Sequence, residues 1–146
     1  MHNQDFIKEY IPQREPFLFI EKVVDRTENS ITTSKVLTGN EDFFKGHFPS
    51  SPVFPGVLMC EAVFQTGALL MALKGESSNA TKKALVTRIL GEKFKNMATP
   101  GDELFITVDF VEMLANAAFM KGKIKANDKT IMTVEFAATV VDNEEI

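Results

Sequence analysis

Three residues in one short stretch could between them move protons and hold an oxyanion: His47, Gly56 and Glu61. His47 lies in Phe43-Phe44-Lys45-Gly46-His47-Phe48-Pro49, between aromatic rings and a proline-stiffened segment. Such surroundings favour the neutral, proton-accepting imidazole that a general base requires. They also suit a packed, hydrogen-bonded loop histidine. Glu61 is the one charged residue of the segment 57–73, VLMCEAVFQTGALLMAL. A carboxylate there must be paired, hydrated or protonated, because burying it bare is expensive. It sits about one and a half turns past Pro55, too far for a helix terminus to stabilise the anion much. Desolvation then raises its pKa, as a general acid or water-positioning group requires; capping a backbone group is the alternative. Gln65, four residues on, shares its face and can hold it.

Gly56 supplies a different chemistry. At a helix start its N–H has no intrahelical partner, and without a side chain a substrate carbonyl can come close. It can polarise a thioester or hold an oxyanion, or it is simply a turn glycine. Cys60 is read as a buried, inert thiol. His2, the other histidine, lies in the terminus and is set aside. No GxSxG elbow, P-loop, GxGxxG or HExxH motif occurs, so metal and nucleotide chemistry have no sequence support.

The elements that must position these residues follow from periodicity. Segment 57–73 is apolar on nearly every face, which predicts a helix surrounded by other structure. Pro49, Pro52 and Pro55 impose an extended lead-in, and Pro55 suits the first helical position. Lys74-Gly75 and the ESSNATKK run after it read as a stop and a polar loop. The period then changes to alternation. Leu104, Ile106, Val108 and Phe110 form one face of a strand. Met120, Gly122, Ile124 and Ala126 form one face of the next, with Phe119, Lys121, Lys123 and Lys125 opposite. Met132, Val134, Phe136, Ala138 and Val140 share a face of a third. Asn127-Asp128-Lys129 and Pro100-Gly101-Asp102 read as turns. Segments 18–27 and 31–38 form a hairpin, 84–97 a strand bent near Gly91, and 4–10 a short helix. The fold class is α+β, with five or six antiparallel strands around one helix.

Composition bounds the rest. The chain of 146 residues is 45% hydrophobic and 25% charged, the profile of one globular domain spanning 1–146. Asp+Glu 20 against Lys+Arg 16 gives −4, which argues against nucleic acid as the main partner. One cysteine, Cys60, cannot form an internal disulfide, and a reducing, cytoplasmic compartment is the simpler expectation. The N-terminus lacks the basic start and apolar run of a signal peptide. Segment 57–73 is short for a membrane span and carries Glu61 and Gln65, so no membrane insertion is expected.

The string Gly46-His47-Phe48-Pro49-x-x-Pro52-x-x-Pro55-Gly56-Val57-Leu58-x-x-Glu61-Ala62-x-x-Gln65 closely resembles the signature of the FabZ-type (3R)-hydroxyacyl-acyl carrier protein dehydratases. Ile11-Pro12-Gln13-Arg14-Glu15-Pro16-Phe17-Leu18 is similar to that family's N-terminal segment, with Glu21 where Asp is usual. Lys93-Phe94-Lys95 and Pro100-Gly101-Asp102 are similar to its later strand and turn. The resemblance implies a hotdog fold, an antiparallel sheet wrapped around a long central helix. It implies reversible dehydration of a 3-hydroxyacyl thioester to the trans-2-enoyl thioester in fatty-acid biosynthesis. His47 would be the base, Glu61 the acid or water-positioning group, and the Gly56 N–H the thioester donor. Phe48, Pro55, Val57 and Gln65 would line the substrate. No cofactor or metal is implied. The partners implied are an acyl carrier protein and a second copy of the chain, in dimers with shared active sites, often three in a hexamer. The glutamate at 61, where dehydratase-isomerases usually carry aspartate, favours the plain dehydratase.

Some positions depart from the family pattern. Gln13 replaces a common histidine, Ser50 stands where glycine or another small residue is frequent, Phe54 replaces a frequent methionine, and Asn96-Met97 a basic and apolar pair. Phe64 adds bulk in the helix. These could alter chain-length preference or carrier docking, for which Lys45, Arg88, Lys93 and Lys95 are candidates. Competing functions are a dehydratase of a specialised polyene or polyketide pathway, a non-catalytic acyl-thioester-binding domain, and a thioesterase.

Overall fold

A computed structural model describes residues 2–78 and 81–143. A short helix α1 (Gln4–Tyr10) opens the chain, capped by the Asn3 side chain, which accepts from the Asp5 and Phe6 amides. Six strands follow: β1 (Lys22–Arg26), β2 (Ser30–Val36), β3 (Lys82–Phe94), β4 (Glu103–Leu114), β5 (Ala117–Ala126) and β6 (Lys129–Asp142). They form one antiparallel sheet in the order β1-β2-β4-β5-β6-β3. Helix α2 (Gly56–Leu73) lies against it. A six-stranded sheet around one long helix is the hotdog fold, as the periodicity and the resemblance led us to expect.

The alternation in the sequence becomes the two faces of the sheet. Leu104, Ile106 and Val108 are wholly buried, and so are Met120, Ile124 and Met132 on the neighbouring strands. The lysines at 121, 123 and 125 face outward. Asn127 and Asp128 both take positive φ (54° and 62°), the two-residue turn that matches strand twist. Lys129 already pairs with Ala126, so the turn is one residue shorter than the expected Asn127-Asp128-Lys129. Strand β3 runs from Lys82 rather than Ala84, and its register shifts between Val86 and Arg88 and between Ile89 and Gly91, close to the expected bend.

Helix α2 is long and apolar enough to cross a membrane by composition, with a mean hydropathy of 1.6. Its apolarity has a local cause: the sheet wraps it, and Met59, Ala62, Val63, Leu69, Leu70 and Met71 are buried. Two glycines set how closely the layers approach. A Cβ at Gly122 of β5 would collide with Val63 of the helix, and one at Gly67 would lie 2.8 Å from the Phe136 ring of β6. Pro55 is not the first helical residue but the one before it, with ψ 135°; its carbonyl accepts from the Leu58 and Met59 amides. The extended path of the three prolines therefore runs one residue further than expected, and Gly56 starts the helix. At the other end Gly75 takes φ +83°, with Gly75 N–H bonded to Ala72 O and Glu76 N–H to Met71 O, a Schellman stop. Of the polar loop expected after it, Asn79 and Ala80 lie outside the described residues.

Candidate active site

His47 sits on the loop between β2 and α2, just beyond a 3-10 turn (Asp42–Lys45) whose Phe44 is buried. Its imidazole is half-buried, and Nδ1 lies 3.0 Å from the Val53 carbonyl oxygen. That carbonyl can only accept, so the bond puts the proton on Nδ1 and leaves Nε2 with its lone pair. The Phe48 ring meets the imidazole edge-on at 4.7 Å. Phe48 has φ +50°, the left-handed region, and the residue is 64% exposed. A bulky residue held there costs roughly 1–2 kcal/mol, a strain typical of functional loops. Nothing in the sequence signals this conformation, since phenylalanine is not a residue chosen for positive φ.

Glu61 projects from α2 and is half-buried. Burial pushes its carboxyl above the usual carboxylate range, and the hydrogen bond from Gln65 only partly offsets this. Gln65 is fully buried, and its amide is shared three ways. Nε2 donates to Glu61 Oε2 at 3.0 Å and to the Phe17 carbonyl at 2.7 Å, while Oε1 accepts from the Phe19 amide at 2.9 Å. The expected Glu61–Gln65 bond is present. Both amide protons of Gln65 are taken, so it can act on a ligand through Glu61.

At the head of α2 the Gly56 and Val57 amides have no acceptor among the described residues. The Phe94 ring of β3 covers Gly56, 3.1 Å from where a Cβ would stand. Pro55 is buried and Val57 is 78% exposed. Cys60 is buried, and its thiol is pushed up to about 12 by burial and then by Glu92, whose carboxylate accepts from it at 3.4 Å. It is an inert thiol, as expected.

His47 and Glu61 share no hydrogen bond or ion pair within the chain. The arrangement thus offers a proton acceptor on one element, a protonatable carboxyl on another and free amides at a helix head. One more feature lies at the start of the His47 loop. Lys35 of β2 is buried and pairs with Glu41 at 3.6 Å. A lysine in phase with the inward-facing Ile31 and Thr33 is the signal that could have found it.

A model of the FabA-like domain family matches residues 11–135. The chain is 39% identical over 133 residues to a 3-hydroxyacyl-[acyl-carrier-protein] dehydratase FabZ of Caulobacter vibrioides, covering 90% of this chain and 84% of that one. It is 40% identical over 121 residues to a FabZ of the same name from Listeria monocytogenes serotype 4b, covering 82% and 81%. Among solved structures, the dehydratase heterocomplex ApeI:P from Xenorhabdus doucetiae superposes with a TM-score of 0.79. That match covers 95% of this chain and 93% of the other at 14% identity, a likeness of fold.

Proposed function

Since this chain belongs to the FabA-like family, we propose that it is a 3-hydroxyacyl-[acyl-carrier-protein] dehydratase, a hydro-lyase of fatty-acid biosynthesis. The observation that carries this reading is near-full-length identity of 39% to such an enzyme, in a chain whose helix holds Glu61 protonatable. The substrate is an acyl chain thioesterified to an acyl carrier protein, and the chain works in the cytoplasm as one domain.

The residues divide the reaction as follows. His47 Nε2 takes the proton α to the thioester carbonyl, with Nδ1–H held on Val53 O so that the ring faces one way. The Gly56 N–H, at the positive end of α2, stabilises enolate character on the thioester oxygen. Glu61, steadied by Gln65, delivers its proton to the departing 3-hydroxyl, directly or through a held water. Phe48, Pro55 and Val57 border the acyl thioester.

The site is completed by a second copy. Strand β3 is an edge of the sheet, 13 residues long, with Leu85, Val86, Ile89, Leu90 and Phe94 each about 37–51% exposed. A long apolar edge left open invites pairing, and a second β3 is its natural cover. The dimer then brings His47 of one copy to Glu61 of the other, and dimers can assemble further into a hexamer.

The test is dehydration of a C4-to-C10 series of carrier-bound 3-hydroxyacyl thioesters, followed by mass spectrometry in wild type and His47→Ala. Loss of one water in wild type and none in the mutant is expected. No change at any length, with both proteins folded and dimeric, would overturn the dehydratase and leave an acyl-binding module.

A further inference from the structure

We propose that Lys35, buried, and Glu41, partly buried, form a positioning pair that sets the place of the His47 imidazole without touching it. The inference deepens the reading of the site given above and rests on it for the role of His47. Glu41 stands where β2 has ended and the His47 loop begins. Its carboxylate folds the chain back on itself: Oε2 accepts from the Thr38 amide at 3.0 Å and Oε1 from the Gly39 amide at 2.9 Å. Its backbone carbonyl accepts from Phe44 N–H at 3.1 Å and so starts the 3-10 turn that leads to Gly46 and His47.

Lys35 anchors this assembly to the sheet. Its side chain is only 9% exposed and that of Glu41 16%, and they are 3.6 Å apart. An ammonium so buried needs an anion nearby, and among the described residues Glu41 is the carboxylate paired with it. The position of the carboxylate is thus fixed from below by a residue of β2 that belongs to the rigid sheet. From Glu41 the chain is clamped again by aromatic packing: Phe43 lies 5.0 Å from Phe54 and 5.9 Å from Phe19. The far end of the loop closes where Phe54 N–H bonds to Ala98 O at 2.8 Å. His47 lies between these two fixed ends, held by one hydrogen bond of its own. Moving the Glu41 end shifts the loop along its length, and a displacement near 1 Å in a proton-transfer group is enough to lower turnover by one or two orders of magnitude.

The measurement is ring-labelled histidine NMR with kcat and KM, on the full chain carrying Glu41→Asp, Glu41→Gln or Lys35→Met. The two histidines, His2 and His47, make the spectrum simple. Each variant should move or broaden the His47 ring signals, leave His2 in place, and lower kcat tenfold or more with KM within about twofold. Lys121→Ala, which breaks an exposed pair of the same 3.6 Å separation with Glu135, should do none of these. Glu41→Asp keeps the charge and only retracts it, the mildest change of the series, and thermal melts identify which variants are folded. Wild-type His47 signals in every folded variant, even with lowered melting temperatures, would overturn the proposal. Shifted His47 signals in a protein that dehydrates no substrate would uphold the positioning and refute the dehydratase instead.

Discussion

Gln65 donates a 3.0 Å hydrogen bond from Nε2 to the Glu61 carboxylate while tying α2 to the Phe17–Phe19 segment through a second Nε2 bond, to Phe17 O, and through Oε1, which accepts from Phe19 N–H. The bond therefore has a fixed origin. A side chain fastened at both its carbonyl and its amide end cannot follow Glu61 about, so Glu61 is held relative to the body of the fold rather than to a neighbour equally free to move.

Replacing Glu61 by glutamine should cut turnover roughly 10²-fold or more, the scale for losing an acid–base group. Its effect on stability has the opposite sign. The folded carboxyl has its pKa raised by burial, so the stability it brings is complete below the unfolded pKa and is lost as pH rises through the folded one. Glu61→Gln should therefore raise the melting temperature at neutral pH, and the gain should vanish on acidification. A gain that grows towards acid pH would contradict the raised pKa.

Gln65→Leu should destabilise by about 2–3 kcal/mol, because it orphans the buried Phe19 amide and frees the Phe17 carbonyl. Gln65→Glu keeps an acceptor for Phe19 but sets a second carboxylate against Glu61, which moves the limb of the pH–rate profile that reports Glu61 to higher pH. Thermal melts and a rate profile on both variants separate the two effects.

At Phe48 the backbone and the ring can be tested apart. Phe48→Ala removes the ring and keeps the positive φ, whereas Phe48→Gly removes both ring and strain. The glycine variant should be more stable than the alanine one by about 1 kcal/mol, while both lose activity. Equal stability would mean the loop does not hold that conformation in solution.

Ile89→Lys places a charge on the open β3 edge, at a side chain 47% exposed in the single chain. The fold of each chain should survive. Sedimentation should show the dimer weakened, and activity should fall in step with dissociation and recover at high protein concentration. A mutant that stays dimeric at dilution would place the interface elsewhere.

Much of this was legible in the residues. The alternation in 103–142 predicts the faces of β4, β5 and β6, because strands half-buried on one side leave a period of two. The apolarity of 57–73 on nearly every face predicts a helix enclosed by its sheet, and Glu61 stands out within it as the candidate acid. What could not be read were long-range pairings. Lys35 and Glu41 look like ordinary surface charges until the sheet is assembled, and the Phe48 backbone is imposed by its surroundings. The Gln65 contacts with Phe17 and Phe19 join residues far apart in sequence, with no local pattern to betray them.

A helix apolar on nearly every side has no clear hydrophobic stripe to tell it which way to face. Its rotation about its own axis must be indexed some other way, and the two glycine contacts act as the notches of a key. Val63 seats only over Gly122, and the Phe136 ring seats only over Gly67. A turn of one residue, about 100° about the axis, would drive side chains into both notches and pull Gln65, with Glu61 alongside it, away from the Phe17–Phe19 segment. The direction in which the acid points is thus decided by absent side chains on the far side of the helix.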